Sequence, residues 1–136
     1  MSGVHVRVRA GGERYALPVD EVSEVGELGE VTPLPGSAPE VLGLRNLRGQ
    51  VVPVVDLAAM LGVGGRAAPT RVVIAESGGR RAGLAVEGVD GVDELPDPSE
   101  ESDSPLLAGA VLIDGELVGI LYASALFDAL APEEAT

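Results

Sequence analysis

Cysteine, lysine and tryptophan are absent from the 136 residues, and aromatic residues make up only 2% of them. Without cysteine the chain has no disulfide bonds, thiolate zinc sites or cysteine nucleophiles, which fits a reducing cytoplasm. The longest charge-free stretches, such as residues 117–127, reach about half of the roughly 20 apolar residues that a membrane-crossing helix needs. No apolar segment follows a basic N-terminus. We therefore expect a cytoplasmic protein without direct membrane insertion.

Basic residues are confined to the first part of the chain. Residues 1–81 contain nine acidic residues and all nine arginines, whereas residues 82–136 contain thirteen acidic residues and no base. The second part therefore supplies the whole net charge of −13. Such a surface repels a phosphate backbone, so we expect no nucleic-acid binding. We attribute the acidity to solubility rather than to a cationic ligand, and we expect protein partners.

The residues and motifs of common catalytic sites are missing. The single histidine, His5, lies on the polar face of a predicted strand, and neither a Gly-x-Ser-x-Gly elbow nor a phosphate-binding Gly-Lys-Ser/Thr loop is present. Asp56 is followed by Leu57-Ala58 rather than by the Thr-Gly or Ser-Gly of an aspartic protease. The acidic stretch 97–105 lacks the central glycine of an EF-hand. We expect no enzyme, no bound metal and no cofactor.

Alternating valines and short turn signals predict a mainly β chain. Val4, Val6 and Val8 alternate with polar residues, the period-two pattern of a half-buried strand. Pro53, inside a hydrophobic strand, indicates an edge position or a bulge. Two-residue turns predict hairpins at Gly11-Gly12, Gly78-Gly79 and Asp114-Gly115. We also expect a helical turn and a strand across 19–25, short helices at 57–61 and 124–130, a linker near 64–69 and an acidic loop at 97–105.

The second half of the sequence repeats the first. The pattern of residues 11–28 recurs 67 positions later, and the pattern of residues 49–61 recurs 66 positions later. A half of this size has too little core to be stable alone, so the halves should pack together. The repeat predicts one domain over residues 1–136 with two small back-to-back barrels. Their approximate cores are 14–65 and 81–130, and exchange of the N-terminal and linking strands between them is left open.

Residues 43–57 form the most informative segment, because a polar, turn-prone signature runs directly into a hydrophobic strand. Asn46 and Gly49 tolerate the positive φ of tight turns, and residues 51–55 form an almost wholly apolar run. Arg48 is therefore expected between a turn and a core, where its guanidinium would hold a fixed partner or face an interface. A solvated charge at a strand end is the alternative, and both interpretations stay open.

Residues 41–57, with an Asn-Leu-Arg-Gly motif followed by a strand and Val-Asp-Leu, resemble the CheW-type adaptors of bacterial chemotaxis. Residues 22–25 and 31–34 resemble the first-barrel segment of that family, and the similarity covers nearly the whole chain. The resemblance implies two five-stranded barrels around a shared core and a scaffolding activity. The implied partners are the cytoplasmic hairpin tips of methyl-accepting receptors and the regulatory domain of the histidine kinase CheA, with recruitment to membrane receptor arrays.

The resemblance also implies a receptor-binding or supporting surface, formed by Glu24, Val31, Leu34, Gly43, Asn46, Leu47 and Arg48. Within this set, Val31 and Leu34 are a hypothesis based on their proline-bounded loop, and core positions are the alternative for both. Glu24 is the expected carboxylate partner of Arg48, Gly43 would keep the backbone close, and no residue is assigned to the kinase. The repeat places Asp114 at the position of Arg48, so the arginine is not required by the barrel itself. A two-barrel module that binds a peptide or metabolite in another signalling pathway is the alternative function.

Overall fold

A computed structural model describes residues 2–64, 67–98 and 104–130. In these ranges the chain forms ten strands, two short α-helices and a 3₁₀ helix at Val19–Glu21. The strands are β1 (Ser2–Ala10), β2 (Glu13–Pro18), β3 (Val22–Glu27), β4 (Val41–Leu47), β5 (Gln50–Asp56), β6 (Arg71–Ser77), β7 (Arg80–Val86), β8 (Gly88–Pro96), β9 (Leu107–Ile113) and β10 (Glu116–Leu121). The helices are α1 (Leu57–Leu61) and α2 (Ala123–Leu130). The predicted mainly β class is confirmed, and parts of the predicted linker and acidic loop, residues 65–66 and 99–103, lie outside the described residues.

The strands form two five-stranded sheets, and each sheet combines both halves of the sequence. Sheet I has the order β8-β1-β2-β10-β9, and sheet II has the order β3-β6-β7-β5-β4. Each N-terminal hairpin of a repeat, β1–β2 or β6–β7, therefore pairs with strands of the other repeat. The two parallel pairings share one register, because Ile120 lies opposite Ala16 and Val54 lies opposite Gly83. The repeat is thus present in three dimensions, while the cores 14–65 and 81–130 stay a prediction as separate units.

Three apolar clusters give each sheet its own core and join the two sheets. Inside sheet I, Leu95 of β8 and Val111 of β9 meet in one cluster, so the two edge strands curl towards each other. Inside sheet II, Leu47 of β4 packs with residues of β5 and β6, and Leu28, just after β3, lies against them. The largest cluster lies between the sheets and includes Val8, Leu17, Val73, Leu84 and Leu126. The fold is therefore two curled sheets around a shared core.

Four hairpins turn on two-residue loops in which both residues have positive φ, at Gly11-Gly12, Arg48-Gly49, Gly78-Gly79 and Asp114-Gly115. This backbone matches the twist of paired strands. The expectation of positive φ at Asn46 is wrong, since Asn46 lies in β4. Its side-chain oxygen accepts a hydrogen bond from the Gly49 amide at 2.8 Å, and Arg48 takes the left-handed conformation with φ of 52°.

Strand β4 and the position of Pro53 differ from the sequence-based expectation. The turn-prone stretch extends as a strand to Leu47, so the turn is limited to two residues. Pro53 lies in β5, between β4 and β7, and not in an edge strand. It lies opposite Leu44, whose backbone groups bond to Thr32 on the outer side, and pairing of β5 with β7 begins at Val54. The missing amide of Pro53 therefore interrupts no ladder, and the nearby bulge lies in β4.

Strand exchange brings the arginines of the N-terminal hairpin to acidic residues of the second half. Arg7 Nε is 2.8 Å from an Asp93 carboxylate oxygen. Asp90 accepts from Arg9 Nε at 2.9 Å and from Arg14 Nη1 at 3.1 Å. Segregation of charge along the sequence is therefore reduced in space, because sheet I contains both the basic hairpin and the acidic strands.

The two helices are capped in different ways. Asp56 precedes α1, and its side chain accepts from the amides of Ala58 and Ala59. The equivalent position before α2 is Tyr122, which has no carboxylate. Glu21, which precedes Ala123 by 102 positions, instead accepts a hydrogen bond from the Ala123 amide at 2.7 Å. A side chain from the 3₁₀ helix thus supplies the N-terminal cap of α2.

We expect Glu21→Ala to lower the free energy of unfolding by about 1 kcal/mol, the usual cost of a lost helix cap. Denaturant unfolding followed by circular dichroism measures the change. Asp20→Ala is the matched control, because it removes a neighbouring carboxylate that does not cap α2. Equal losses in the two variants would show that the contact between Glu21 and Ala123 does not stabilise the protein.

Tyr15 lies in the shared core, and burial, aided by the nearby Glu13 carboxylate, raises its pKa above the ordinary value of 10.0. The folded protein therefore keeps the phenol proton at pH values where the unfolded chain loses it. This contribution to stability is full below pH 10 and is lost as the pH rises through the folded-state pKa.

Ultraviolet titration of a Tyr122→Phe variant, which leaves Tyr15 as the only tyrosine, should show that the Tyr15 phenol ionises above pH 10. Ionisation of this phenol at about pH 10 in the folded protein would contradict the raised pKa.

Candidate functional site

The candidate site is the line of contact between β3 and β4, the two edge strands of sheet II. We call this line the seam. On one side it contains Glu24, Glu27, Leu28 and Thr32, and on the other Gly43, Leu44, Arg45 and Arg48. These contacts connect the two edges of the curled sheet. The seam includes three of the seven residues that the resemblance implied.

Arg48 and Glu24 form an ion pair at the turn end of the seam. Arg48 Nη1 is 3.1 Å from Glu24 Oε1, so the expected carboxylate partner is in contact. The side chain of Arg48 is 81% exposed and that of Glu24 is 32% exposed. An exposed ion pair of this kind contributes about 0–1 kcal/mol, because water and salt screen it. The pair orients Arg48 more than it stabilises the barrel.

Arg45 holds the middle of the seam and was not identified from the sequence. Its Nη1 donates to the carbonyl oxygen of Glu27 at 3.0 Å and to that of Leu28 at 2.7 Å. Arg45 stands two positions before the buried Leu47 and therefore shares its strand face. A strand prediction for residues 41–47 would have placed Arg45 on the same face as Leu47. Because this segment was interpreted as turn-prone, the strand alternation was not used.

Gly43 allows two backbones to meet at the far end of the seam. Thr32 and Leu44 exchange two backbone hydrogen bonds of 2.8 Å each. Gly43 has φ of +149°, and a Cβ atom there would overlap the carbonyl oxygen of Thr32. The close approach that the resemblance implied is therefore present, and it depends on the missing side chain.

The other implied residues lie in different environments. Leu47 is buried in the inner cluster of sheet II, so it supports the turn from inside. Val31 is half-buried and Leu34 is 44% exposed, and neither belongs to an apolar core cluster. Asn46 is exposed and closes the turn through Gly49. The structure thus places Glu24, Asn46, Leu47 and Arg48 around the turn, whereas Val31 adjoins Thr32 and Leu34 lies further along the loop.

Arg48 occupies a backbone position that does not favour arginine. Its φ of 52° lies in the left-handed region, where Gly, Asn and Asp are the residues preferred in such hairpins. A residue with an ordinary side chain there costs about 1–2 kcal/mol. The exposed ion pair with Glu24 does not exceed that cost. Arginine at this position therefore does not make the hairpin more stable than asparagine or glycine would.

The other barrel repeats the positive φ at two positions of the seam but has neither of the two seam arginines. Gly109, the equivalent of Gly43, has φ of 147°, and Asp114, the equivalent of Arg48, has φ of 51°. Gly91 and Val111 stand at the positions of Glu24 and Arg45. Within the described residues, sheet I thus curls without either arginine contact. The two arginine contacts distinguish the seam of sheet II.

A separate cleft of about 440 Å³ lies at one end of sheet I and includes none of the seven implied residues. Its lining includes Val4 and His5 of β1, Val19 of the 3₁₀ helix, and Tyr122 just before α2. Tyr122 is exposed, whereas Tyr15 and Phe127 are buried. This cleft is the feature that favours the alternative function, a module that binds a peptide or metabolite.

In residues 2–64, 67–98 and 104–130, no group of three or more histidine or acidic side chains is arranged to hold a metal ion. Over the same part of the chain, no helix has the length and apolar character needed to cross a membrane.

Comparisons with known proteins give one consistent result. Residues 5–131 match the family described as CheW-like domain. The chain is 31% identical to the "probable chemotaxis protein CheW" of Rhizobium etli, over 96% of this chain and 90% of that protein. It is 33% identical to protein FrzA of Myxococcus xanthus, over 85% of this chain and 72% of that protein. The fold is similar to the scaffolding protein TtCheW of Thermoanaerobacter tengcongensis, with TM-score 0.79, 29% identity, and coverage of 89% of this chain and 84% of that chain.

We expect Gly43→Ala to lower the free energy of unfolding by about 2 kcal/mol or more, because the new Cβ atom combines an unfavourable φ with an overlap on Thr32. Gly26→Ala is the matched control in the same sheet, since Gly26 has no positive φ and open space around its Cβ position. Denaturant unfolding of both variants measures the difference. Similar small effects in the two variants would contradict the tight backbone approach at the seam.

Proposed function

Because the chain belongs to the family of CheW-like domains, we propose that it couples methyl-accepting receptor tips to the histidine kinase CheA. The family and its chemotaxis relatives support the broader statement directly: the chain is a chemotaxis-type adaptor, of a family that is generally non-enzymatic. Coupling in a cytoplasmic array attached to membrane receptors is the proposed specific role. The kinase-contacting residues are unassigned.

Arg48 is the observation that carries the proposed receptor site. It is highly exposed, has a left-handed backbone and forms only a weak surface ion pair, so barrel stability does not explain its presence. The equivalent turn of sheet I has aspartate. A partner surface that is specific to sheet II explains both facts.

The proposed contact uses the directionality of the guanidinium group. Glu24 engages Nη1 of Arg48 and leaves other donors of the five free to bind a receptor carboxylate or carbonyl. Glu24 limits the orientation of the side chain, which reduces the entropy lost on binding. The exposed Leu34 and half-buried Val31 would supply apolar contact to a receptor helix.

A peptide- or metabolite-binding module in another pathway is the second candidate, and the cleft beside Val19 and Tyr122 favours it. The two functions differ in what they require. The adaptor must bind a receptor fragment and the kinase regulatory domain at the same time, whereas the module needs neither. The relatives named for chemotaxis support the adaptor.

The main test is a ternary complex of the purified protein with a receptor hairpin fragment and the CheA regulatory domain. We expect Arg48→Asn to weaken receptor binding about tenfold or more, since a charge-assisted hydrogen bond contributes about 1.5–3 kcal/mol. Stability should change by less than about 1 kcal/mol, because asparagine suits the turn. Kinase binding should be unchanged. Asp114→Asn is the matched control at the equivalent turn and should leave receptor binding unchanged.

The outcomes separate the site from the function. Receptor binding that survives both Arg48→Asn and Arg48→Glu would reject the site and leave the adaptor role standing. If the unmutated protein binds neither fragment, the adaptor role itself is rejected.

For the ion pair, the double variant Glu24→Arg with Arg48→Glu should regain part of the receptor affinity that Arg48→Glu alone loses, as expected of side chains in direct contact.

A further inference from the structure

Two arginines of sheet II differ from the other arginines in what they contact. The described residues include eight arginines, and six of them form ion pairs with carboxylates. In this part of the chain, Arg45 and Arg71 donate instead to main-chain carbonyl oxygens. Arg45 Nη1 bonds to the carbonyls of Glu27 and Leu28. Arg71 Nε bonds to that of Gly26 at 3.1 Å. Arginine side chains thus hold three consecutive carbonyl groups where β3 ends.

The segment that follows β3 is anchored at both ends by neighbouring residues of β4. The Arg45 side chain bonds to the Leu28 carbonyl at 2.7 Å. Leu44 holds Thr32 through two backbone hydrogen bonds. Residues 28–32 therefore form a short span between two fixed points, and Arg45 is the anchor on the side of β3.

Sheet I shows that closing a barrel at this position does not require arginine. Val111, the counterpart of Arg45, is fully buried and lies in one apolar cluster with Leu95, the counterpart of Leu28. Apolar packing is non-directional, so it brings strands together without fixing their orientation. Charge-assisted hydrogen bonds are directional, so they fix where the carbonyl groups lie. Arginine in sheet II therefore supplies precise placement rather than closure.

The barrel that is closed by arginine is also the barrel with a charged pair to align. Glu24 of β3 contacts Arg48, whereas the counterpart of Glu24 in sheet I is Gly91. We propose that Arg45 is a positioning residue, which fixes the end of β3 so that Glu24 meets Arg48 and orients it for a receptor. Arg71 fixes the same end from the side of β6. The effect on receptor binding rests on the proposed function, but the effect on the ion pair is a property of the free protein.

The test variant is Arg45→Val, which copies the residue found in sheet I. Valine favours strands, and water can replace the guanidinium at the exposed carbonyl of Glu27. The variant should therefore fold, which circular dichroism and thermal unfolding check. Arg45→Gln is the second variant. It keeps an amide donor without the charge, should show the same effects at smaller size, and takes the place of Arg45→Val if that variant unfolds.

Arg14→Val is the matched control, because it removes the same charge from sheet I, where Arg14 pairs with Asp90 and Glu116. It should change neither of the two readouts that follow.

Nuclear magnetic resonance of the unliganded protein is the first readout. The Nε–Hε signal of Arg48, assigned by its loss in Arg48→Asn, should move in Arg45→Val, because the Arg48 guanidinium no longer keeps one orientation towards Glu24. If Arg45 only stabilised the barrel, the Arg48 signal would stay where it is in the unmutated protein, and that result overturns the inference.

Binding to the receptor hairpin fragment is the second readout. We expect Arg45→Val to weaken binding roughly two- to tenfold, which corresponds to ordering one more flexible side chain on binding. Added to Arg48→Asn, Arg45→Val should cause no further loss, because Arg45 acts through the ion pair. Additive losses would overturn the inference, since Arg45 would then contact the receptor itself or act separately.

The two readouts distinguish the positioning role from the proposed function. If the unmutated protein does not bind the receptor fragment, the proposed function is rejected, and the Arg48 signal alone decides whether Arg45 positions the ion pair. If the receptor fragment binds and the Arg48 signal is the same in Arg45→Val, the positioning role is rejected and the receptor function stands.

Discussion

Exchange of the β1–β2 and β6–β7 hairpins between the two sheets is the constraint on which the rest of the structure depends. Each sheet is completed only by a hairpin from the other repeat, through the parallel pairings of β2 with β10 and of β7 with β5. The shared core, the arginine pairs in sheet I and the cap of α2 all follow from this arrangement. Neither repeat can close its own sheet, so the halves are joined by hydrogen bonds as well as by apolar packing.

The features that could be predicted from the sequence are those with a local cause. Paired glycines and Asp114-Gly115 predicted hairpins because few other residues adopt positive φ, and Gly62 ended α1 with φ of 72°. The features that were missed depend on distant partners. Strand β4 contains Gly43 and Asn46, which disfavour strands, and pairing with β5 and with Thr32 holds it extended. Glu21 caps α2 across most of the chain, which no local pattern indicates.

The seam shows the same division between local and distant causes. Glu24 and Arg48, which the resemblance paired, are in contact, and the backbone is close at Gly43, while the receptor-binding role of these residues stays a prediction. The only local signal for Arg45 is the strand face that it shares with Leu47, because its two carbonyl partners are backbone groups that any residue could supply. The roles of Val31, Leu34 and Arg48 in binding stay predictions, because exposure and strain show where a side chain is available and not what it binds.

Hairpin exchange also imposes an order on folding while the chain is synthesised at the ribosome. Sheet II spans Val22–Val86 and has all of its strands once β7 has emerged, whereas the β1–β2 hairpin must wait for β8 and β10 before its edges are paired. Unpaired strand edges invite intermolecular pairing, and charged side chains on them discourage it. Arg7, Arg9 and Arg14 lie on the β1–β2 hairpin, and their acidic partners Asp90 and Asp93 belong to β8, which is synthesised after all strands of sheet II. The charges that later join the two halves thus first protect a nascent edge.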